Sequence, residues 1–206
     1  MNSLIKEIES LKNSEVKNLV GLRLEEFSGF QKKNINELFK ELSFCLLTAN
    51  FNAERAIIIQ EKINNGFLNL SEEKLAEKLK FLGHRYPNTR ANFIVMARNF
   101  KQELKKLKSF ENPLLRDYLV KNVKGLGLKE ASHFLRNVGF LDFAIIDFHI
   151  ADLLEKHGLM VKPKTIGRRT YLNTEKVLQE IAEKTSLTLG ELDLYLWFME
   201  TGKILK

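Results

Sequence analysis

Cysteine is almost absent, with Cys45 the only one in 206 residues. A lone cysteine closes no intrachain disulfide and provides no ligand set for a zinc site or an iron–sulfur cluster. It sits in the apolar run Leu42-Ser-Phe-Cys-Leu-Leu47 and reads as a small core residue. Long hydrophobic runs are missing as well. None reaches the ~20 residues needed to span a bilayer, and the charged, amphipathic N-terminus has no signal-peptide core, so the chain is expected to be intracellular. There is no low-complexity tract, no internal repeat and no alternating run that would make a convincing strand. Acidic residues are outnumbered, 26 against 33 Lys and Arg, for a net charge of +7. That favours a polyanionic partner only weakly, because many basic proteins merely carry solvated faces.

What is present is helical periodicity. Leu4, Ile5, Ile8 and Leu11 form one short stripe, with Asn13 or Ser14 placed to cap a second helix through Val16, Leu19, Val20 and Leu24 towards Phe27. Asn34 opens a third helix, and Asn52 a fourth that ends at the C-cap-like Asn64-Asn-Gly66. Ser71 caps a fifth, closed by Gly83. Pro87-Asn-Thr precedes a long helix reaching Phe100. Further helices are expected over Pro113–Val123, Glu130–Val138 and Asp147–His157, then from Asn173 through Ile181. The last, Leu192–Glu200, is opened by a Thr188-Leu-Gly-Glu191 capping box. The spacing predicts an all-α fold of two helical lobes, 31–125 and 1–30 plus 126–206, with a helix-hairpin-helix motif over 114–139.

Within that motif, Lys124-Gly-Leu-Gly127 interrupts the apolar pattern with two glycines. Gly125 and Gly127 tolerate positive φ and leave backbone N–H groups bare, so the turn can press against a phosphate at a helix N-terminus. A purely structural αα-turn is the alternative. Lys129 falls where the next helix begins, and nucleophilic chemistry there needs a neutral amine at pH 7. The positive end of a helix disfavours a cation, and partial burial disfavours any charge; the competing reading is one more solvated or phosphate-contacting lysine. His133, four residues on, shares that helical face. Asp147 stands at the start of a helix beside His149, where capping and catalysis are compatible roles.

Val123-Lys-Gly-Leu-Gly-Leu-Lys129 together with Ile146-Asp-Phe-His-Ile150 resembles the helix-hairpin-helix DNA glycosylase superfamily, whose signature is a hairpin lysine and a downstream Asp. Without a four-cysteine cluster the chain departs from the endonuclease III branch. Leu42–Arg55, Gly83-His-Arg-Tyr86 and the ending Leu192-Asp-Leu-Tyr-Leu-Trp…Thr201-Gly-Lys-Ile-Leu-Lys206 look like the type-2 8-oxoguanine DNA glycosylase/lyases, small archaeal and bacterial proteins without the β-domain of their larger eukaryotic relatives. The resemblance covers essentially the whole chain. It implies a monomer acting on double-stranded DNA that contains 8-oxoguanine or abasic sites, in the prokaryotic cytoplasm on the nucleoid, with DNA and the flipped base held in a cleft between the lobes. By the match, Lys129 attacks C1′ and forms a Schiff base, β-elimination nicks the strand, and Asp147 stabilises positive charge on the sugar and helps activate the lysine. No cofactor is required by this reading, although main-chain carbonyls at the hairpin could hold a monovalent cation.

The resemblance also directs attention to the base. Asp193 and Trp197 are i and i+4 on one helix. A carboxylate can accept from N1–H and the exocyclic amine of a guanine, and an indole can stack on it. Alternatively Trp197 packs in the core and Asp193 faces water. Tyr86 could stack on the other face. In the type-2 family the terminal lysine, here Lys206, helps tell 8-oxoguanine from guanine. Asn50 and Asn52 match an asparagine that fills the gap left by the flipped nucleotide, and Arg55 a contact to the opposite base, or these are a plain helix cap. Phe148 departs from the small polar or basic residue that many superfamily members carry there. Lys162, Lys164, Arg168 and Arg169 could bind backbone phosphate or be solvated. Two other functions remain: a glycosylase for another lesion such as an oxidised pyrimidine, against which Asp193 and Lys206 argue, and a non-catalytic DNA-binding module, which would leave Lys129 and Asp147 unexplained as a pair.

Overall fold

Why the described residues fold into helices is visible in their caps as much as in their periodicity. The computed structural model describes residues 1–109 and 112–206. Among these the helices are α1 (Asn2–Lys12), α2 (Val16–Gly29), α3 (Ile35–Thr48), α4 (Ala53–Ile63), α5 (Gly66–Asn69), α6 (Glu72–Phe81), α7 (Pro87–Ala97), α8 (Asn112–Asn122), α9 (Leu128–Asn137), α10 (Phe148–Lys156), α11 (Arg168–Thr185) and α12 (Leu189–Thr201), with 3₁₀ turns over Phe30–Lys32 and Arg98–Ser109 and no strand. No described helix is long and apolar enough to cross a membrane. The chain divides into two compact units, Met1–Gly29 with Leu135–Lys206, and Phe30–Phe134.

The Phe30–Phe134 unit is built around α3. Every residue from Glu41 to Thr48 is buried, the mark of a core helix rather than a surface one. Asn34 starts it by accepting the amides of Asn36 and Glu37 at 2.9 and 3.2 Å, which satisfies two of the N–H groups a helix leaves over. Cys45 is fully buried there, as its neighbours predict. Phe39 and Phe44 are also fully buried, each a contribution of roughly 2–3 kcal/mol from transfer out of water. Asn52 and Ser71 cap α4 and α6, and Pro87 takes the first position of α7, where its missing N–H costs nothing.

The other unit holds α1, α2, α10, α11 and α12. Val16, Val20 and Phe27 of α2 pack with Leu194 and Tyr195 of α12, and Leu24 and Ile204 close the cluster. The predicted capping box is formed: Glu191 N–H donates to Thr188 Oγ1 at 3.2 Å and Thr188 N–H to Glu191 Oε2 at 2.7 Å. Gly202, with φ of +69°, ends the helix.

Several sequence expectations are corrected. At 3.6 residues per turn Val16, Val20, Leu24 and Phe27 lie within about 80° of one another, and Leu19 falls outside that arc, so it is about half exposed rather than core. Asn64, with φ of +44°, is the C-cap of α4, whereas Gly66 begins α5. The helix from Pro87 stops at Ala97 and continues as 3₁₀ turns, which still bury Phe100, Leu104 and Leu107. Gly167, not Asn173, precedes α11, so Arg168 and Arg169 lie in its first turn. The boundary expected at 125/126 falls inside α9, at Phe134/Leu135. The first part of α9 shares neighbours with α3 and α8, since His133 lies edge-on to Phe44 at 5.6 Å and Arg116 Nη1 donates to Ser132 Oγ at 3.3 Å.

Candidate active site

In the Phe30–Phe134 unit the hairpin is a tight turn between α8 and α9. Leu126 N–H donates to Val123 O at 3.2 Å, with Gly125 at φ +87° between them. A Cβ on Gly125 would lie 2.2 Å from Phe93 Cδ2, so both backbone conformation and close packing demand glycine there. Gly125→Ala should cost about 2 kcal/mol or more, a loss of roughly 4–8 °C in melting temperature for a chain of this size; a thermal melt checks it. The turn's amides are not all bare, as the glycines alone suggest. Gly127 N–H donates to Glu130 Oε2 at 3.2 Å, the backward half of a capping box. The N-terminus of α9 thus already holds an anion, its own carboxylate. Lys124 stands exposed beside the turn with its ammonium 5.9 Å from the Phe93 ring.

Lys129 is the second residue of α9. Its side chain is one-quarter exposed, and Nζ lies 3.9 Å from Glu130 Oε1. His133, expected to line the same pocket, is buried at 7 % exposure with its ring edge-on to Phe44.

Two loops of the same unit are tied together. Exposed Asn50 has φ of +55°, a conformation asparagine tolerates. Asn52 caps α4 by accepting Arg55 N–H at 3.0 Å. Arg55 Nη2 donates to Gly83 O at 3.2 Å and its guanidinium lies 5.5 Å from the Phe51 ring, so this arginine makes intramolecular contacts of its own. Arg90 Nη2 donates to Ala49 O at 2.6 Å, and burial pulls its guanidinium below the usual arginine range. Tyr86 is 37 % exposed, with Arg85 and Arg90 at 5.1 and 5.9 Å from its ring.

In the other unit Asp147 is the N-cap of α10. Its Oδ1 accepts the amides of His149 and Ile150 at 3.0 and 3.2 Å, and Oδ2 makes no hydrogen bond among the described residues. The segment leading to it is clamped. Tyr171 Oη donates to Ala144 O at 2.7 Å and accepts from Ile146 N–H at 3.3 Å, while Glu175 Oε1 accepts Ala144 N–H at 3.1 Å. Sequence reasoning missed Tyr171 and Glu175; an aromatic and an acid four apart at buried positions of α11 were their only signal.

Asp193 is neither free nor water-facing. It is buried and ion-paired with Arg136 Nη1. Arg136 in turn donates from Nη2 to Asn137 Oδ1 at 3.0 Å, and its guanidinium lies 5.0 Å from the Phe27 ring. Trp197 meets the exposed His149 edge-on at 5.4 Å, and its Nε1 is buried with no hydrogen-bond partner among the described residues. The tail is held rather than frayed: Arg23 Nη2 reaches Ile204 O at 3.5 Å, Ile204 packs on the α2–α12 cluster, and Lys206 is half-buried. Phe148 is half-exposed with the Lys162 ammonium 5.8 Å from its ring. Lys162 is also ion-paired with Asp152. Lys164, Arg168 and Arg169 are exposed.

The chain is similar to known proteins over its length. A family model described as 8-oxoguanine DNA glycosylase matches residues 20–187. The 8-oxoguanine DNA glycosylase/AP lyase of Methanocaldococcus jannaschii is 54 % identical over 205 residues, covering 98 % of this chain and 99 % of that protein. That of Korarchaeum cryptofilum is 53 % identical, covering 100 % and 99 %. Among solved structures, the M. jannaschii 8-oxoguanine glycosylase/lyase in complex with a 15mer DNA containing 8-oxoguanine superposes with a TM-score of 0.96 at 53 % identity, covering 99 % of this chain and all of that one. The 8-oxoguanine DNA glycosylase of Thermotoga maritima superposes with a TM-score of 0.94 at 45 % identity, covering 100 % and 99 %. The chain belongs to the 8-oxoguanine DNA glycosylase family.

Proposed function

We infer that the protein is a bifunctional DNA repair enzyme that excises 8-oxoguanine and then nicks the strand, acting inside the cell on the nucleoid. The observation that carries the reading is a lysine in the first turn of α9, directly after a glycine hairpin whose Gly127 N–H donates to a carboxylate oxygen. A damaged base must leave the stack before its glycosidic carbon can be reached. Lys129 Nζ attacks C1′ as the C1′–N9 bond breaks and the base departs with the electron pair. The sugar opens to a Schiff base. Loss of a C2′ proton then expels the 3′ phosphate oxygen, and water releases the lysine.

Asp147 Oδ1 is spent on the helix cap and Oδ2 is left to stabilise cationic character on the sugar. Gly125, Gly127 and Lys124 grip backbone phosphate, which would replace Glu130 at the Gly127 amide. The turn's main-chain carbonyls are the seat we propose for a monovalent cation, which would add positive charge beside that phosphate. Asn50 and Asn52 support the duplex where the nucleotide has left, and Tyr86 and Trp197 are the stacking candidates for the base. Arg136 fixes the Asp193 carboxylate in one orientation, which suits an acceptor for a guanine edge. Incubation with end-labelled duplex carrying a single 8-oxoguanine tests the function: the expected product is a nicked strand ending in an unsaturated sugar, and an intact strand with the base retained sinks the reading.

Lys206 is proposed to read the altered edge of the base. Oxidation turns N7 into an N–H donor and adds O8 as an acceptor, and the Lys206 ammonium can donate to O8. Deleting Lys206 should lower the ratio of excision rates for 8-oxoguanine over guanine by about tenfold or more, the worth of one charged hydrogen bond. An unchanged ratio removes the tail from the account.

A further inference from the structure

His84 is buried at 4 % exposure where the two loops of the Phe30–Phe134 unit meet. Its Nε2 lies 3.1 Å from Leu47 O, and its Nδ1 lies 3.1 Å from Tyr86 N. A carbonyl only accepts and an amide N–H only donates, so the ring must carry its proton on Nε2 and present a lone pair at Nδ1. This is the neutral Nε2–H tautomer; a second proton has no place, because Nδ1 faces a donor. The ring also stacks on Phe51 at 4.1 Å between centroids and 30° between planes. Burial, opposed by the Leu47 carbonyl and reinforced by Arg90 and Arg55, holds the imidazole below its usual range.

These contacts span the two segments that carry the exposed candidates. Leu47 and Phe51 flank Asn50, and Tyr86 opens α7. Arg55 to Gly83 O and Arg90 to Ala49 O bridge the same gap. Either arginine can swing on a long side chain, whereas the imidazole is rigid and held on three sides. We propose that His84 is a positioning residue for lesion recognition: as the neutral tautomer it fixes the loop bearing Asn50 and Asn52 in register with Tyr86, so that duplex support and base stacking are set before DNA arrives. The proposal rests on the reading that those residues meet the DNA. It assigns His84 no contact with substrate and no part in the lysine chemistry.

The test separates recognition from chemistry. His84→Phe keeps a ring against Phe51 and removes both hydrogen bonds. His84→Gln can still offer an amide N–H towards Leu47 O, and His84→Asn an oxygen towards Tyr86 N–H. Affinity for an 8-oxoguanine duplex is measured in a Lys129→Gln background, and single-turnover cleavage of a preformed abasic duplex at saturating enzyme in the Lys129 protein. The expected result is about tenfold weaker duplex binding for His84→Phe, as for a loop that holds the binding register about one-tenth of the time, with the saturating rate within about twofold of the parent and partial recovery of affinity by Gln or Asn. Parent-like affinity in His84→Phe overturns the proposal, as does an equal loss of affinity and saturating rate. If His84→Phe does not fold, parent-like affinity in both Gln and Asn variants overturns it. Absence of any borohydride adduct in the parent protein would instead count against the proposed function.

Discussion

Lys129→Gln should abolish strand nicking and lower 8-oxoguanine excision by about 10⁴-fold or more, the scale on which removal of a covalent nucleophile is felt, while duplex binding persists. Glutamine keeps nearly the length of the side chain and its apolar stem, so the first turn of α9 and the Glu130 contact with Gly127 stay in place. What disappears is the amine, the one group in that turn able to form a carbon–nitrogen bond with C1′ that becomes an imine as the C1′–O4′ bond opens. The expected split is therefore between chemistry and affinity, read by single-turnover kinetics and by equilibrium binding on the same duplex. A variant that keeps nicking would move the nucleophile elsewhere.

Asp147 carries the second large effect, and the structure divides it into two parts. Asp147→Asn retains an oxygen for the amides of His149 and Ile150, so α10 keeps its cap at a cost of only a few tenths of a kcal/mol. It removes the negative charge, and the excision rate should fall by about 10²–10³-fold, the usual cost of deleting one preorganised electrostatic partner of a transition state. Asp147→Ala should lose the same activity and in addition about 1 kcal/mol of stability. Rates and denaturant midpoints measured on both variants check this, and equal stability of the two would show that the cap contributes nothing.

Much of the fold was legible in the residues, and what escaped has a common cause. Helix starts follow from local chemistry: Asn34, Asn52, Ser71, Asp147 and Thr188 each sit where a side-chain oxygen can meet free amides two or three residues on. The glycine hairpin and the lysine after it are equally local. The partners of these groups are not. Arg136 and Asp193 are far apart in the chain, as are Tyr171 and Ala144, and periodicity cannot pair them. Gly127 gave no hint that Glu130 would cap it, since acidic residues in a first helical turn are common. His84 had no sequence signal beyond lying between Gly83 and Tyr86; its tautomer exists only because Leu47 and Tyr86 are folded around it.

Borohydride reduction during turnover freezes the imine, so mapping the reduced adduct tests the central claim most directly. With an 8-oxoguanine duplex and the unmodified protein, peptide mass spectrometry should find the sugar remnant on Lys129 alone. An adduct on any other lysine or on the terminal amine, or none while the strand is being nicked, would contradict the account.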